Sequence, residues 1–259
     1  MKKILQINGF TLLLILLPLF AQAQGESQPV TIDDLMSLQS LSSPQISPDG
    51  EWVAYVVRSR DMEEDKSNTQ VFMVATSGGE PIPMTDKETS ASDPQWSPDG
   101  NFLSFTASKG KDAKTQIWTL NRLGGEAVQL TDVIQGVGDY AWSPDGTRLL
   151  LTLTDPKPAD LTEDKGDDDK AVPYVIDRMQ FKQDYSGYLD RRRTHIYVYT
   201  PDIKTTVQLT FGDYDDSNPV WSPDSRSIAL VSDRSDNPDL NYGTDIFVVN
   251  ADGNDPILT

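Results

Sequence analysis

Trp96-Ser97-Pro98-Asp99-Gly100 is the stretch of sequence that decides the fold, because the chain repeats it. Ser-Pro-Asp-Gly recurs at 47–50 and 143–146, and a diverged copy, Ser-Pro-Asp-Ser, stands at 222–225. Tryptophan precedes three of the four copies, whereas Ile46 precedes the first. Serine, proline and glycine at the first, second and fourth positions are typical of a type I turn. The chain is therefore built from repeated units, each with this turn near its start.

The connection from one unit to the next has a constant length. Thr85, Thr131 and Thr210 each stand 12 residues before the serine of the following motif. The length within the units varies, because the third unit carries an insertion between Thr154 and Arg193. A fixed connection between variable units indicates repeats that stack in one geometry.

Each unit predicts four short antiparallel strands. β-Branched, aromatic and leucine residues dominate the second and third runs of every unit, at 52–57 and 71–74, 102–106 and 117–120, 149–153 and 196–199, and 228–232 and 246–249. Four strands at a period of roughly 40–50 residues are typical of a propeller blade. We therefore predict an all-β fold: a β-propeller of about four blades over residues 47–259, with the tryptophans packed between neighbours. A closed four-bladed ring is one alternative; an incomplete seven- or eight-bladed ring, with an unpaired blade face, is favoured.

The N-terminal residues predict export. Residues 1–23 combine Lys2 and Lys3, an apolar core and the small-residue cleavage site Ala21-Gln22-Ala23, which together indicate a signal peptide. The apolar run is shorter than the roughly 20 residues of a membrane span. We expect a periplasmic or extracellular bacterial protein, free of the membrane after cleavage. Residues 24–46 are interpreted as an N-terminal segment with a short helix from Thr31 to Leu41, capped by Thr31 with Asp34.

Composition excludes several classes of partner and site. The net charge of −18, or −20 without Lys2 and Lys3, opposes binding to nucleic acid or to an anionic membrane. Without cysteine, packing rather than disulfides must stabilise the exported chain. The acidic run 167–169 lacks the ligand spacing of a calcium loop and predicts a solvated loop. No metal or cofactor site is predicted, and Asp213, Asp215 and Asp216 are expected to cap turns.

No catalytic residue is predicted in this chain. The Gly-x-Ser-x-Gly nucleophile elbow is absent from the sequence. The single histidine, His195, precedes the third strand of its unit, where the sister units have Gln70, Gln116 and Asp245. This alignment favours a strand-edge residue over a catalytic base.

The second half of the insertion, 174–193, is the best functional candidate because it concentrates positive charge and aromatic rings in an acidic protein. Its members are Arg178, Phe181, Lys182, Tyr185, Tyr188, Arg191, Arg192 and Arg193. The favoured interpretation is that the arginines pair with carboxylates at a blade or domain interface. In the alternative, arginines bind a peptide carboxylate or carbonyl through bidentate hydrogen bonds. The substrate-binding candidates are then Arg178, Tyr185, Tyr188 and Arg192.

Two segments resemble a known family. The first comprises Val-Ile-Asp-Arg-Met-Gln-Phe-Lys at 175–182, Gly187-Tyr188, and Arg-Arg-Arg-Thr-His at 191–195. The second begins with Tyr-Asp-Asp-Ser-Asn-Pro-Val-Trp-Ser-Pro-Asp at 214–224 and continues through Ser232-Asp233-Arg234 to Thr244-Asp245-Ile246. The chain resembles the N-terminal propeller part of secreted bacterial prolyl-oligopeptidase-family serine peptidases, in the dipeptidyl-peptidase and acylaminoacyl-peptidase branch. The resemblance implies a propeller that admits short peptides to a following α/β-hydrolase domain, which holds the catalytic residues and is missing from this chain.

The blade motifs alone are shared with TolB-like propellers. The rival hypothesis is therefore a non-enzymatic TolB-like periplasmic propeller that binds protein partners. Such proteins are expected to have a small α/β domain before the propeller. The first motif begins at Ser47, which leaves no room for one after the signal peptide.

Overall fold

The computed structural model describes residues 29–110, 113–157, 176, 178–185, 187–241 and 243–253. The predicted signal peptide, the acidic run 167–169 and the predicted last strand, which ends at Thr259, lie outside these residues. The described elements are helix α1 (Ile32–Ser37) and strands β1 (Ser40–Ile46), β2 (Trp52–Asp61), β3 (Lys66–Ala75), β4 (Ile82–Pro83), β5 (Ala91–Trp96), β6 (Phe102–Ala107), β7 (Gln116–Asn121), β8 (Val128–Gln129), β9 (Tyr140–Trp142), β10 (Leu149–Thr154), β11 (Lys182–Gln183), β12 (Gly187–Tyr188), β13 (Thr194–Thr200), β14 (Thr205–Gln208), β15 (Asp216–Trp221), β16 (Ser227–Ser232) and β17 (Asp245–Asn250), with a single 3-10 turn at Pro201–Ile203.

The strands form successive antiparallel sheets, one for each predicted unit. Blade 1 is β1–β4, blade 2 is β5–β8, blade 3 is β9, β10, β13 and β14, and blade 4 comprises β15–β17 within the described residues. The insertion separates β10 from β13 and carries its own small hairpin, β11–β12. The predicted all-β architecture of four-stranded blades is confirmed.

The motif turns are fastened by their own side chains. In blade 2 the amide of Gly100 donates to the Ser97 carbonyl at 2.8 Å, as a type I turn requires. The Ser97 hydroxyl donates to Asp99 at 2.5 Å and accepts from the Phe102 amide at 3.0 Å, which fixes the start of β6. Gly100 has φ +70°, and a Cβ there would lie 3.5 Å from Pro48 of the preceding turn. Each turn therefore lies against its predecessor.

Each inner blade packs one face of its sheet against the preceding blade and the other face against the following blade. We call the face of a blade that meets the following blade its front face, and the face that meets the preceding blade its back face. Between blades 3 and 4, for example, Leu150 and Ile196 of the front face pack with Ile228 and Leu230 of the back face. Two equivalent apolar clusters join blades 1 and 2 and blades 2 and 3. The core of the protein therefore lies between blades rather than within them.

The repeated tryptophans bridge the blades, as predicted. The indole nitrogen of Trp96 donates to the Gln45 carbonyl of blade 1 at 3.1 Å. Trp142 donates to the Ser104 hydroxyl of blade 2 at 2.9 Å, and Trp221 to the Ala141 carbonyl of blade 3 at 3.2 Å. These bonds orient each blade on its predecessor.

The N-terminal helix is shorter than expected. The predicted capping box of Thr31 and Asp34 is present, but α1 ends at Ser37, and the predicted end at Leu41 is wrong. The backbone is extended at Leu38, and β1 begins at Ser40 because it pairs antiparallel with β2. Sheet hydrogen bonds therefore override the helical spacing of the leucines. Within the described residues, no helix is long and apolar enough to cross a membrane.

Candidate functional site

The insertion leaves blade 3 at Asp155 and rejoins it at Arg193, and these two residues are hydrogen-bonded to each other. The Asp155 amide donates to the Arg193 carbonyl at 2.8 Å, and the Arg193 amide donates to the Asp155 carboxylate at 3.0 Å. These bonds extend the β10–β13 pairing one step beyond Thr154 and Thr194. The two ends of the insertion are therefore hydrogen-bonded to each other at one end of blade 3.

Arg178 fastens the described part of the insertion to blade 4. Its guanidinium forms a bidentate ion pair with Asp239, in the loop between β16 and β17, with Nε 3.1 Å from one carboxylate oxygen. A third N–H donates to the Asp190 carbonyl at 2.7 Å. The Arg178 side chain is only 9% exposed and that of Asp239 only 12%. The hydrogen bond with Arg178 lowers the pKa of Asp239, so this pair stays charged at neutral pH.

Arg193, the residue before β13, joins the same network. It is buried and lies 2.7 Å from Asp213, 2.9 Å from Asp215 and 3.9 Å from Asp239. Burial opposes the charged form of Arg193, but the hydrogen bonds with Asp213 and Asp215 raise its pKa. The expectation that Asp213 and Asp215 cap turns is wrong, because their carboxylates instead bind this arginine.

Asp216 forms a second, adjacent cluster with His195. The His195 Nδ1 lies 3.4 Å from an Asp216 carboxylate oxygen, and Nε2 lies 4.0 Å from Asp155. Arg234 pairs with the other Asp216 oxygen at 2.5 Å. Burial raises the pKa of Asp216, but hydrogen bonds from His195, Thr210 and Ser232 outweigh it and lower the pKa. Asp216 therefore pairs with two basic side chains and does not cap a turn.

His195 is equivalent to Gln116, as the alignment of the units predicts, but it lies within β13 and is buried rather than at the edge of a strand. In blade 2, Gln116 of β7 accepts from Thr131 at 2.8 Å and from the Val133 amide at 3.1 Å, and so ties its blade to the connection that follows. His195 ties blade 3 to Asp216 in the equivalent connection. Both imidazole nitrogens of His195 face carboxylates, which gives this residue a structural role between blade 3 and the following connection.

The four substrate-binding candidates occupy two different environments. Arg178 and Arg192 meet at Asp190: Arg178 at its carbonyl, and Arg192 at its carboxylate, 2.7 Å from Nε. Tyr185 and Tyr188 lie on the β11–β12 hairpin and are exposed. Tyr185 is at the turn with φ +65°, and the Lys182 ammonium lies 5.7 Å from the Tyr188 ring centre. The arginines are therefore engaged with protein groups, while the tyrosines face outward.

A cleft of about 250 Å³ lies beside this network. Its lining includes Arg178 and Arg193 of the insertion, Asp215 of the connection between blades 3 and 4, and Asp233 and Asp239 of the blade 4 loop. Both signs of charge line the cleft. Across the described residues, no cluster of three or more acidic or histidine side chains could hold a metal ion.

Sequence reasoning missed Asp239 and Arg234 as members of this site. Asp239 is 61 residues from its partner Arg178, and no spacing rule connects them. Arg234 lies in one of the two segments that resemble the family, but the sequence indicates no partner for it. In the structure its guanidinium carbon lies 4.7 Å from the Tyr214 ring centre and 5.7 Å from that of Phe247. The position of Arg234 after a strand of blade 4 was the available signal.

Comparison with known proteins identifies relatives that are peptidases. The chain is 28% identical over 221 residues to the "Uncharacterized peptidase YuxL" of Bacillus subtilis, covering 85% of this chain and 34% of that protein. It is 30% identical over 81 residues to dipeptidyl-peptidase 5 of Porphyromonas gingivalis, covering 31% of this chain and 12% of that protein. The chain thus spans about a third of the Bacillus relative. No protein-family model matches the chain.

Solved structures show the same fold. Acylaminoacyl peptidase of Pyrococcus horikoshii superposes with a TM-score of 0.65 at 21% identity, over 87% of this chain and 33% of that one. The β-propeller domain of the Trilobed protease of Pyrococcus furiosus superposes with a TM-score of 0.50 at 17% identity, over 82% of this chain and 54% of that one. The predicted propeller fold and the resemblance to the propeller part of prolyl-oligopeptidase-family peptidases are confirmed.

Proposed function

We propose that this chain is the substrate-gating propeller portion of an exported serine peptidase that acts on short peptides. Catalysis would come from an α/β-hydrolase domain outside this chain. The observation that carries the proposal is the similarity to a peptidase over 85% of this chain but only 34% of the relative. The propeller fold accounts for the shared part, and a catalytic domain would account for part of the remainder.

The chemistry of the described residues supports a non-catalytic role for this chain. A serine peptidase needs a histidine that is free to take a proton from a serine hydroxyl. The single histidine, His195, is buried and lies against Asp216 and Asp155. The sequence also has no nucleophile elbow. Peptide hydrolysis by this chain alone is therefore not expected.

The insertion is the part of the chain that we assign to gating. Its hairpin is held on blade 4 by the Arg178–Asp239 ion pair, beside the cleft that Arg193 and Asp215 help to line. Of the four candidate residues, we assign peptide contact to Tyr185 and Tyr188, and their exposure supports this assignment. Arg178 and Arg192 act as positioning residues, because both are engaged with protein groups.

The proposal includes export. Residues 1–23 would direct the chain out of the cytoplasm and be removed, which leaves a periplasmic or extracellular protein. Mass spectrometry of the protein recovered from the periplasm or medium tests this directly. The expected N-terminus is Gln24, and an intact Met1 would contradict cleavage.

A peptidase assay on the purified chain tests the catalytic part of the proposal. Dipeptide and acyl-aminoacid anilides should not be hydrolysed, and a fluorophosphonate probe should not label the chain. Hydrolysis that such a serine-directed probe abolishes would overturn the assignment.

The DNA that follows codon 259 gives a second test: an open frame with a Gly-x-Ser-x-Gly motif supports the proposal. A frame without a hydrolase, together with capture of a periplasmic protein, would favour the TolB-like binding propeller instead.

A further inference from the structure

His195 is a buried histidine that the proposed function does not use. It lies in β13 and is only 3% exposed. Its two ring nitrogens face carboxylates on different elements: Nδ1 lies 3.4 Å from Asp216 of β15, and Nε2 lies 4.0 Å from Asp155, where the insertion begins. The imidazole ring therefore stands between the joint of blades 3 and 4 and one end of the insertion.

Asp216 is the permanently charged side of this arrangement. It is 1% exposed, and its second carboxylate oxygen pairs with Arg234 at 2.5 Å. Burial raises the pKa of Asp216, but the hydrogen bonds that it accepts from His195, Thr210 and Ser232 outweigh burial and lower the pKa. Asp216 therefore keeps its negative charge throughout the range in which an imidazole ordinarily gains or loses a proton.

Asp155 is the side of the arrangement that belongs to the insertion. One of its carboxylate oxygens accepts a hydrogen bond from the Arg193 amide at 3.0 Å, and the other faces Nε2 of His195. The carboxylate that joins the two ends of the insertion is thus the one that the imidazole ring faces. A change in the contact between His195 and Asp155 therefore acts on the base of the insertion.

Two further groups complete the surroundings of the ring. Tyr197 lies two residues further along β13, on the same face of that strand as His195. Burial and the charge of Asp155 raise the pKa of Tyr197 above its ordinary value of 10, so its hydroxyl stays neutral. The Arg193 guanidinium binds Asp213 and Asp215 in the adjacent network. Of all these kinds of group, only an imidazole ordinarily changes its charge between pH 5 and 8.

The number of protons on the ring decides how many of its contacts are attractive. A neutral imidazole has one N–H and one lone pair, whereas an imidazolium has two N–H groups. The shorter distance, to Asp216, favours Nδ1 as the nitrogen that keeps its proton in the neutral ring. The lone pair of Nε2 then faces Asp155 and repels its carboxylate. A second proton, on Nε2, makes this contact attractive.

We propose that His195 is a pH-sensitive link that holds the base of the insertion to the joint of blades 3 and 4. The proton on Nε2 strengthens the link, so the link is fully formed at the acid end of the range in which an imidazole titrates. It is lost as the pH rises through that range. All of its groups lie in an inner joint of the protein, and the inference does not depend on the proposed function.

Nuclear magnetic resonance tests the proton itself. The chain has a single histidine, so labelling histidine with ¹⁵N reports on His195 alone. Long-range proton–nitrogen spectra of the purified chain, recorded from pH 5 to pH 9, should show two protonated ring nitrogens at the acid end. At the alkaline end only Nδ1 should remain protonated. A ring that keeps one protonation state throughout would overturn the proposal.

Hydrogen exchange with mass spectrometry tests whether this proton holds the insertion. Protection factors compare each amide with its unprotected rate at the same pH, which removes the intrinsic effect of pH on exchange. For residues 188–193 they should be about fivefold to tenfold higher at pH 5.5 than at pH 8.5, because one charge-assisted contact is lost. Strand β6 of blade 2 is the internal control and should show no such difference.

Two substitutions assign the effect to the link. His195→Gln introduces the residue that blade 2 has at the equivalent position, and glutamine carries no charge at any pH. Asp155→Asn keeps an oxygen for the Arg193 amide but removes the negative charge. The protection of residues 188–193 should no longer depend on pH in either variant.

Three outcomes would overturn the proposal. They are equal protection of the wild type at the two pH values, protection that rises with pH, and a pH dependence that survives both substitutions. If His195→Gln loses its far-ultraviolet circular dichroism signal, Asp155→Asn decides alone, since the side chain that it changes is 39% exposed and outside the core.

Discussion

At the scale of single residues, Arg178 and Arg192 show how differently two nearby arginines can contribute. Both lie in the insertion and both contact Asp190, yet only Arg178 has a nearly buried carboxylate partner. Removing one member of a buried ion pair leaves the other charge without compensation, whereas an exposed pair loses little. Burial of the partner, rather than the number of hydrogen bonds, therefore decides which arginine holds the hairpin.

Arg178→Ala should loosen the insertion while leaving the blades intact. We expect local opening of the hairpin to become easier by about 3 kcal/mol, which is roughly a 100-fold faster amide exchange at residues 178–193. Hydrogen exchange with mass spectrometry measures this. Arg192→Ala is the matched control and should change exchange by less than about fivefold. Equal effects of the two substitutions would show that the Asp239 pair does not anchor the hairpin.

Asp99 links the stability of a motif turn to pH. The hydrogen bond from the Ser97 hydroxyl lowers the pKa of Asp99 below its ordinary value of 3.8. Because the folded pKa is the lower one, Asp99 stabilises the fold above its unfolded pKa, and this contribution is lost as pH falls through the folded pKa. The stability advantage of the wild type over Asp99→Asn, measured by urea unfolding, should be full at pH 6 and shrink below about pH 4. An advantage that stays constant down to pH 2 would contradict this.

At the scale of the element, the fourth motif turn shows what a lost glycine costs. Ser225 stands in place of glycine with φ +60°, a conformation that side chains with a Cβ rarely adopt. Its hydroxyl accepts a hydrogen bond from the Asp145 amide of the preceding turn at 3.1 Å. Ser225 therefore lacks the conformational freedom of glycine but gains a hydrogen bond between blades 3 and 4.

Two substitutions separate these effects. Ser225→Ala keeps the strain and removes the bond, and it should destabilise the protein by about 1–2 kcal/mol. Ser225→Gly removes both, and the relief of about 1 kcal/mol should bring its stability close to that of the wild type. Urea unfolding of the three proteins gives the order. Alanine at least as stable as glycine would show that the positive φ carries no strain.

The elements that sequence could predict are those with local signals. The turn of Ser97 and Asp99 and the strand β6 that follows it depend on neighbours in the chain, and both are present in the structure. The end of α1 could not be predicted in this way. It is set by the pairing of β1 with β2, and the residues of β2 lie outside the stretch of sequence that shows helical spacing. The partners of Arg178 and Arg193 could not be predicted from the sequence. They lie 20 to 61 residues away along the chain, and contacts at such separations produce no repeating pattern in the sequence.

At the scale of the whole molecule, the proposed function predicts that the insertion selects peptide substrates by their length. In a peptidase in which this chain precedes a catalytic domain, Arg178→Ala should raise the hydrolysis of long peptides several-fold relative to that of a dipeptide anilide. The physical reason is that a loosened hairpin restricts entry less. The ratio of kcat/KM values for the two substrates measures the change, with Arg192→Ala as control. An unchanged ratio would remove the insertion from the gate without affecting the assignment of the fold.

The constant connection between blades also bears on how such a chain can grow. Each 12-residue step from a threonine to the next motif serine contains the first strand of the following blade, and each motif turn rests on the one before it. A segment copied from one motif turn to the next therefore carries complete joining parts at both of its ends. Tandem duplication of that segment adds one blade and leaves every existing contact between blades in place. The unit of duplication is thus one blade together with its connection, and the joint between the two copies is the one contact that would be new.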